Sequence, residues 1–328
     1  MKASQRELKK ILVIKLGALG DFVLALAAMK RIREAHPKAK ITLLTTPPFE
    51  ALAKASPYFN TIETDGRPAD FGQWMAVVGR IRKARYDRIY DLQTSGRSGW
   101  MFRMLGPFRR PQWSGIAGGA SHRHTSPRRK TMHTLERQAD QLRVAGIWPD
   151  APTEAGYAPP PDLSWIMKKA PEARPVAGGV KPRPYVLLVP GGSSHRMEKR
   201  WPVDHYAELA GILRAEGYDL VIIGGPEESA LARAIQRKAQ ARDLTGRTDF
   251  AQIAMLGARA AAAVGNDTGP VHLIAAAGAP TLVLFSKASD PDLCSPRGHV
   301  SVLRADKLKD LPVAEVARAV HHLLPQGR

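Results

Sequence analysis

Residues 265–272 read Gly-Asn-Asp-Thr-Gly-Pro-Val-His, between the apolar run AAAAV (260–264) and the helix-like run LIAAAGA. A strand that ends this way and turns at once into a helix offers free backbone N–H groups and the positive end of a helix dipole, which suits a phosphate. Pro270 fits the first helical turn, where its missing N–H costs nothing. Asp267, Thr268, Gly269 and His272 are then placed to touch a bound anion. The same octet also suits an ordinary joint in which the Asp only caps the helix.

Three further loops follow apolar runs in the same way. In PGGSSHRMEKRWP (190–202) two glycines allow close backbone approach, Ser193 and Ser194 add donors, and Lys199 adds a cation, together a set that suits a diphosphate. In GGPEES (224–229), Glu227 or Glu228 is placed to accept from ribose hydroxyls, or simply to sit at a helix N-terminus. In GALGD (17–21), Asp21 opens a helix and can serve as a general base or as plain N-terminal charge. The dinucleotide fingerprint G-x-G-x-x-G, the P-loop and the G-x-S-x-G elbow are all absent from the sequence, which disfavours a dehydrogenase, a P-loop NTPase and an α/β-hydrolase.

These loops need elements to hold them. Apolar runs at 11–16, 41–46 and 87–93 read as strands, alternating with amphipathic helices at 21–37, 48–55 and 74–85, and a helix follows at 133–146. Residues 149–184 hold nine prolines and read as a linker. A second series then runs through strands at 185–190, 219–225, 260–264 and 281–285, with helices at 204–216, 226–241 and 270–277. The expectation is an α/β protein of two Rossmann-like α/β/α domains facing a central cleft, with ligands at the carboxyl ends of the strands. Boundaries fall at 1–160 for a basic first domain, 161–184 for the Pro-rich linker and 185–308 for a nucleotide-binding domain. A terminal helix at 309–328 is expected to pack back toward the first domain.

The formal net charge is +19 and unevenly placed: residues 1–160 hold 27 Lys/Arg against 13 Asp/Glu. Between Asp91 and Glu136 there is no acidic residue, while Arg97, Arg103, Arg109, Arg110, Arg123, Arg128, Arg129 and Lys130 all occur there. An anionic partner is expected, whether an acidic substrate, lipid headgroups or nucleic acid. Against nucleic acid, the window has no RNA-recognition motif and few aromatics. The window 95–130 itself, rich in Gly, Pro and Arg, reads as loop. The single cysteine, Cys294, excludes an intramolecular disulfide, and no His/Cys/Asp spacing suits a structural metal. Lys15 and Asp21 interrupt the apolar N-terminal run, so it reads as strand, turn and helix rather than a secretory leader.

Taken together, KLGALGDFVLALAAMKRIREAHP, YDRIYDLQTSGRSG, HTLERQADQLRVAGI, PGGSSHRMEKRWP, IIGGPEES and GNDTGPVHLIAAAGAP resemble the lipopolysaccharide heptosyltransferases of glycosyltransferase family 9. The resemblance implies a GT-B fold and a metal-independent, inverting transfer of heptose from ADP-heptose, with no cofactor. It implies Asp21 as catalytic base, and Ser193, Ser194 and Lys199 on the donor diphosphate, Lys199 also as a catalytic cation. Glu227, or Glu228 if the register shifts, falls on the ribose; Asp267, Thr268, Gly269 and His272 form the donor turn. The implied acceptor is an anionic lipid A or core oligosaccharide, met at the cytoplasmic face of the inner membrane with peripheral contact to it. Arg97 and Arg123 are the candidate acceptor contacts. A related transferase using another nucleotide sugar or acceptor is the alternative.

Overall fold

The computed structural model describes residues 7–108, 110–149, 158–166, 183–192 and 195–325. The chain divides into two compact units, Met1–Pro159 and Pro160–Arg328. Most of the expected linker (167–182), together with Ser193, Ser194 and Arg109, lies outside the described residues.

The first unit is a six-stranded parallel sheet in the order β3-β2-β1-β4-β5-β6. Its strands are β1 (Lys10–Ile14), β2 (Lys40–Leu44), β3 (Thr61–Glu63), β4 (Arg88–Asp91), β5 (Gln112–Gly115) and β6 (His122–Arg123). The central strand β1 is apolar and buried from Ile11 to Ile14, as a strand covered on both faces must be. Helices α1 (Leu19–Ala35) and α5 (Thr134–Val144) meet through Leu24, Ala27, Leu135 and Ala139. Helices α3 (Phe71–Ala84) and α4 (Gly96–Met104) bury Val77, Val78, Ile81, Met101 and Phe102 in a second core with Leu12, Ile89 and Trp113. The short α2 (Glu50–Ala55) joins β2 to β3.

The basic window is therefore not a loop. It holds α4, β5 and β6, and the reason it reads as loop is local. The helix is started by a capping box between Ser95 and Ser98, and its few apolar residues pair across to Trp113 instead of repeating along the chain. One of its polar side chains is structural as well. His124 is buried with Nε2 2.8 Å from Asp140 Oδ2, which pins the edge strand β6 to α5.

The second unit repeats the plan with the order β12-β11-β10-β7-β8-β9, again parallel. Its strands are β7 (Tyr185–Val189), β8 (Asp219–Ile222), β9 (Arg242–Asp243), β10 (Ala262–Asn266), β11 (Thr281–Ser286) and β12 (Val300–Ala305). The helices are α6 (Val203–Ala215), α7 (Ser229–Gln236), α8 (Phe250–Gly257), α9 (Gly269–Ala276), the short α10 (Pro291–Cys294) and α11 (Val313–Leu323). Counted from the first strand of each unit, both orders are 3-2-1-4-5-6, the doubly wound arrangement whose reversal between the first and fourth strands opens a ligand crevice at their carboxyl ends.

Val313, Val316, Ala317, Val320 and Leu323 of α11 join the core built by Leu209, Leu213, Val264, Leu282 and Leu284. The apolar stripe of the terminal helix thus packs within its own unit.

One half-buried histidine gives the first unit a pH signature. His36 caps α1, with Nε2 2.8 Å from the Tyr90 hydroxyl. Burial first, then Arg88, Arg31 and Arg33, push its pKa down from 6.5 to about 4. The folded state therefore resists the proton that the unfolded chain accepts. The stability His36 contributes is complete above about pH 6.5 and is lost as pH falls from there toward 4. Thermal melts across that window should show a falling midpoint, and His36→Gln should flatten the fall.

Candidate active site

In the second unit the carboxyl ends of β7, β8, β10 and β11 each supply one loop to a single cluster. Asp267 follows β10 and precedes Thr268, the extended N-cap residue of α9. Gly265 is required just before it, because a Cβ there would lie 2.6 Å from Val271 Cγ2 and 2.7 Å from Val189 Cβ. The Lys199 ammonium donates to Asp267 Oδ2 at 2.7 Å, and the Ser289 hydroxyl, from the loop after β11, donates to the same oxygen at 2.7 Å. His272 Nε2 stands 3.9 Å from Asp267 Oδ1, at ion-pair rather than hydrogen-bond distance. Burial opposes ionisation of Asp267, but His272, Lys199 and Ser289 outweigh it and hold the carboxyl well below the usual carboxylate range.

This cluster has donor capacity to spare. A lysine ammonium has three donors, and Asp267 takes one. Thr268 Oγ1 and His272 Nδ1 are buried with no hydrogen-bond partner among the described residues. Left so, each costs about 1–3 kcal/mol, a cost that a polar ligand removes. The first amides of α9 are unpaired within the helix by construction.

Asn266 was part of the motif but had no role in the sequence reading. It is fully buried, and all four of its side-chain hydrogen bonds are spent on holding loops together. Nδ2 donates to the carbonyls of Pro190 and Gly191 at 2.9 Å each; Oδ1 accepts from the Trp201 amide at 3.0 Å and the Tyr206 hydroxyl at 3.2 Å. It fixes the β7 loop, the Lys199 segment and the Asp267 turn against one another.

The two glutamates separate cleanly. Glu228 is buried, and its two oxygens accept the Gly192 amide at 2.7 Å and the Gly225 amide at 2.9 Å. A Cβ at Gly191 would fall 1.7 Å from Glu228 Oε1, so a side chain there would push the Glu228 carboxylate out of its present place between the two amides. Glu228 is thus a clamp between loops, and Glu227 is the exposed carboxylate at the end of β8. Glu228→Gln turns one acceptor into a donor facing an N–H and should cost about 1–3 kcal/mol of stability. Glu227→Gln should leave the unfolding free energy within about 0.5 kcal/mol of the parent; thermal melts of both variants check this.

The first unit gathers a second cluster. Asp21 lies in the first turn of α1 and is partly exposed. Lys15, at the end of β1, is buried, with Nζ 3.4 Å from the Leu92 carbonyl. Burial pushes the Lys15 pKa down; the charges of Asp21 and Asp91 act the other way, and that of Arg137 adds to the fall. Asp91 at the end of β4 is fully buried and accepts the amides of Gln93 and Thr94 on Oδ1. Burial raises its pKa to about 6, against those hydrogen bonds, the Ser98 hydroxyl and the Lys15 charge. Arg129 donates to Thr94 Oγ1 at 2.8 Å and is coupled to Arg137 and Asp91. Lys15 thus faces both Asp21 and Asp91, Arg129 faces Asp91, and Arg137 stands near Lys15 and Arg129. The sequence reading proposed Arg97 and Arg123 instead. Arg97 is exposed with its guanidinium carbon 5.7 Å from the Trp74 ring centroid, and Arg123 is exposed on the edge strand β6. No contact among the described residues joins those two arginines to each other or to Asp21.

The sequence profile described as Glycosyltransferase family 9 (heptosyltransferase) matches residues 74–309. The chain belongs to this family. As a family 9 glycosyltransferase it is similar to Lipopolysaccharide heptosyltransferase 2 of Escherichia coli strain K12, 26% identical over 313 residues, covering 88% of this chain and 86% of that protein. The protein of the same name from Salmonella typhimurium is 27% identical over 314 residues, with 88% and 86% covered. Among solved structures, E. coli ADP-heptose lps heptosyltransferase II superposes with a TM-score of 0.76 at 24% identity, over 96% of this chain and 98% of that one. The E. coli heptosyltransferase WaaC with ADP gives 0.75 at 20% identity, covering 96% and 99%. The paired Rossmann-like units of this family 9 glycosyltransferase are those of the GT-B fold. Among the described residues no helix is long and apolar enough to cross a membrane.

Proposed function

We propose that this glycosyltransferase moves heptose from ADP-heptose, with inversion and without a metal, to an anionic lipid A or core oligosaccharide acceptor in lipopolysaccharide assembly. The observation that carries the reading is the cluster at the head of α9: a lysine with donors to spare, a strongly ionised aspartate and unpaired polar atoms, all at one helix N-terminus. Relatives named as lipopolysaccharide heptosyltransferases, and solved neighbours named for ADP-heptose or ADP, support that donor and acceptor.

In this reading the diphosphate lies on the first amides of α9, with Lys199, Thr268 and His272 beside it and Ser193 and Ser194 on the adjoining loop. Glu227 accepts from the ribose hydroxyls. Asp21 takes the proton from the acceptor hydroxyl as its oxygen attacks the anomeric carbon, and the bond to ADP breaks on the opposite face. The charge gained by the leaving diphosphate is met by Lys199 and the helix amides, which are fixed before the reaction begins. The acceptor's phosphates and carboxylates meet the basic first domain, through Arg97 and Arg123 or the Lys15, Arg129 and Arg137 group, at the cytoplasmic face of the inner membrane.

Calorimetric titration with ADP, UDP, GDP and CDP tests the donor side. ADP should bind at least about tenfold tighter than the others, a difference of ~1.4 kcal/mol. Preference for UDP would redirect the assignment to another nucleotide sugar.

A further inference from the structure

The outer face of the α3/α4 layer has a composition that neither the donor cluster nor the Asp21 cluster uses. The two helices lie side by side. They share one core, the Arg82 guanidinium donates to the Met104 carbonyl, and the guanidinium carbon of Arg97 in α4 sits 5.7 Å from the centroid of the Trp74 ring in α3. Their inward positions are the apolar ones already described. Their outward positions hold large apolar side chains that water does not favour: Phe71 is 74% exposed, Met75 42% and Trp100 61%, and Phe108, just past α4, is 88% exposed. These are four of the seven large exposed apolar side chains among the described residues, and all four fall on α3, on α4 or just past α4.

Cations outnumber acids around them, with Asp70 capping α3 beside Phe71 and Glu7 and Asp87 in the lining that Phe108 shares. Residues 71–110 hold nine Lys/Arg and two Asp/Glu. Both acids are occupied elsewhere: Asp87 accepts the Lys9 and Lys10 amides, and Asp91 is fully buried. Arg103 lies 5.9 Å over the Trp100 ring and Arg110 lies 4.1 Å over Phe102, so the cations stand among the aromatics. Phe108 shares the lining of one wide cavity with Arg82, Lys83, Arg85 and Arg110. Arg82, Lys83, Arg85, Arg97, Arg103 and Arg110 make no ion pair with a carboxylate among the described residues.

We propose that this α3/α4 face is the surface on which the protein docks to a bilayer carrying anionic headgroups. Trp100, Phe71, Met75 and Phe108 enter the boundary between headgroups and acyl chains, and the uncompensated arginines and Lys83 hold lipid phosphates. Tryptophan and arginine both favour that depth, the first because its ring is apolar with one polar edge, the second because a long stem carries the charge back to the headgroups. Each cation near an anionic surface adds attraction that fades within about a Debye length. A nucleic acid would use the same cations, but it gains nothing from Met75 and needs its aromatics arranged as a stacking row. The inference rests on the lipid-borne acceptor of the reading above only for its purpose, since docking keeps the basic first domain at the surface where such an acceptor resides.

The test is co-sedimentation of the full chain with vesicles of phosphatidylcholine alone or mixed equally with phosphatidylglycerol, at about 0.1 M salt. The parent should partition onto the anionic vesicles and shift its Trp100 emission to the blue, a shift absent in Trp100→Phe. Trp100→Ser with Phe108→Ser should lose about tenfold or more of that partitioning, with an unchanged melting midpoint and unchanged ADP affinity. A parent that stays in the supernatant overturns the proposal, and so does a double variant that partitions as the parent does. Binding to a single-stranded oligonucleotide that depends on these residues, with no vesicle binding, overturns it in favour of the nucleic-acid partner. Vesicle binding by a protein that fails to bind ADP leaves this surface standing and removes the donor reading.

Discussion

Asp21→Asn is expected to lower glycosyl transfer by about three orders of magnitude while leaving ADP affinity within about twofold of the parent. The substitution keeps the shape of the side chain but removes its negative charge, turns one acceptor oxygen into a donor and abolishes the ability to take a proton. Asp21 sits in the first turn of α1, partly exposed, where a charge favourable to the helix dipole is worth only about 0.3–1 kcal/mol, so the variant should fold. Its neighbour Lys15 is buried and loses a favourable charge, which a small drop in melting midpoint would record. Asp21→Glu, with the carboxylate displaced by one methylene, should recover part of the rate. Initial rates on a soluble acceptor, together with calorimetry, separate the two readouts. Turnover within tenfold of the parent in Asp21→Asn would remove this residue from the role of base.

Lys199→Ala should act differently, weakening donor binding and slowing turnover together, by about 10²-fold in rate. The lysine's charge meets a diphosphate both before and during departure of the leaving group, and more strongly as negative charge builds there. The variant also leaves Asp267 with Ser289 and His272 but without its ammonium partner at 2.7 Å. Breaking a largely buried pair from one side costs up to about 3–5 kcal/mol because the surviving charge stays desolvated. The effects of Lys199→Ala and Asp267→Ala should therefore not add, and the double variant should be hardly worse than the worse single one. Additive losses would mean that the two side chains act on separate ligand groups. Lys199→Arg keeps the charge but not its compact geometry, and should retain part of the binding and less of the rate.

The cluster at the head of α9 was legible in the sequence because its residues are local. Each loop follows an apolar run directly, and the backbone amides and short side chains proposed for phosphate sit together in the chain. What the sequence hid depends on contacts between distant segments. The choice between Glu227 and Glu228 is made by the Gly192 amide, which donates to Glu228 from 36 residues away in the chain. Asn266 looks like a motif residue and is in fact the tie between three loops, which no spacing rule reveals. The window 95–130 misled because α4, β5 and β6 are short, carry few apolar residues, and draw their order from Trp113 and from the His124–Asp140 pair. Lys15 was visible only as an interruption of an apolar run. Its place beside Asp21 and Asp91 follows from β1 and β4 being paired neighbours, a fact of topology rather than of pattern.

The position of α11 sets the timing of synthesis. The core of the second unit needs Val313, Val316, Val320 and Leu323. On the ribosome, the sheet of that half keeps an uncovered apolar face until the chain has been made past residue 324 and those residues have cleared the exit tunnel. The first half has every strand and helix of its sheet by residue 144 and can close long before. Nascent chains arrested near residue 310 should therefore yield a protease-resistant first half and a digestible second one. It is over the interval from about 185 to 324 that this protein has the greatest need of a chaperone.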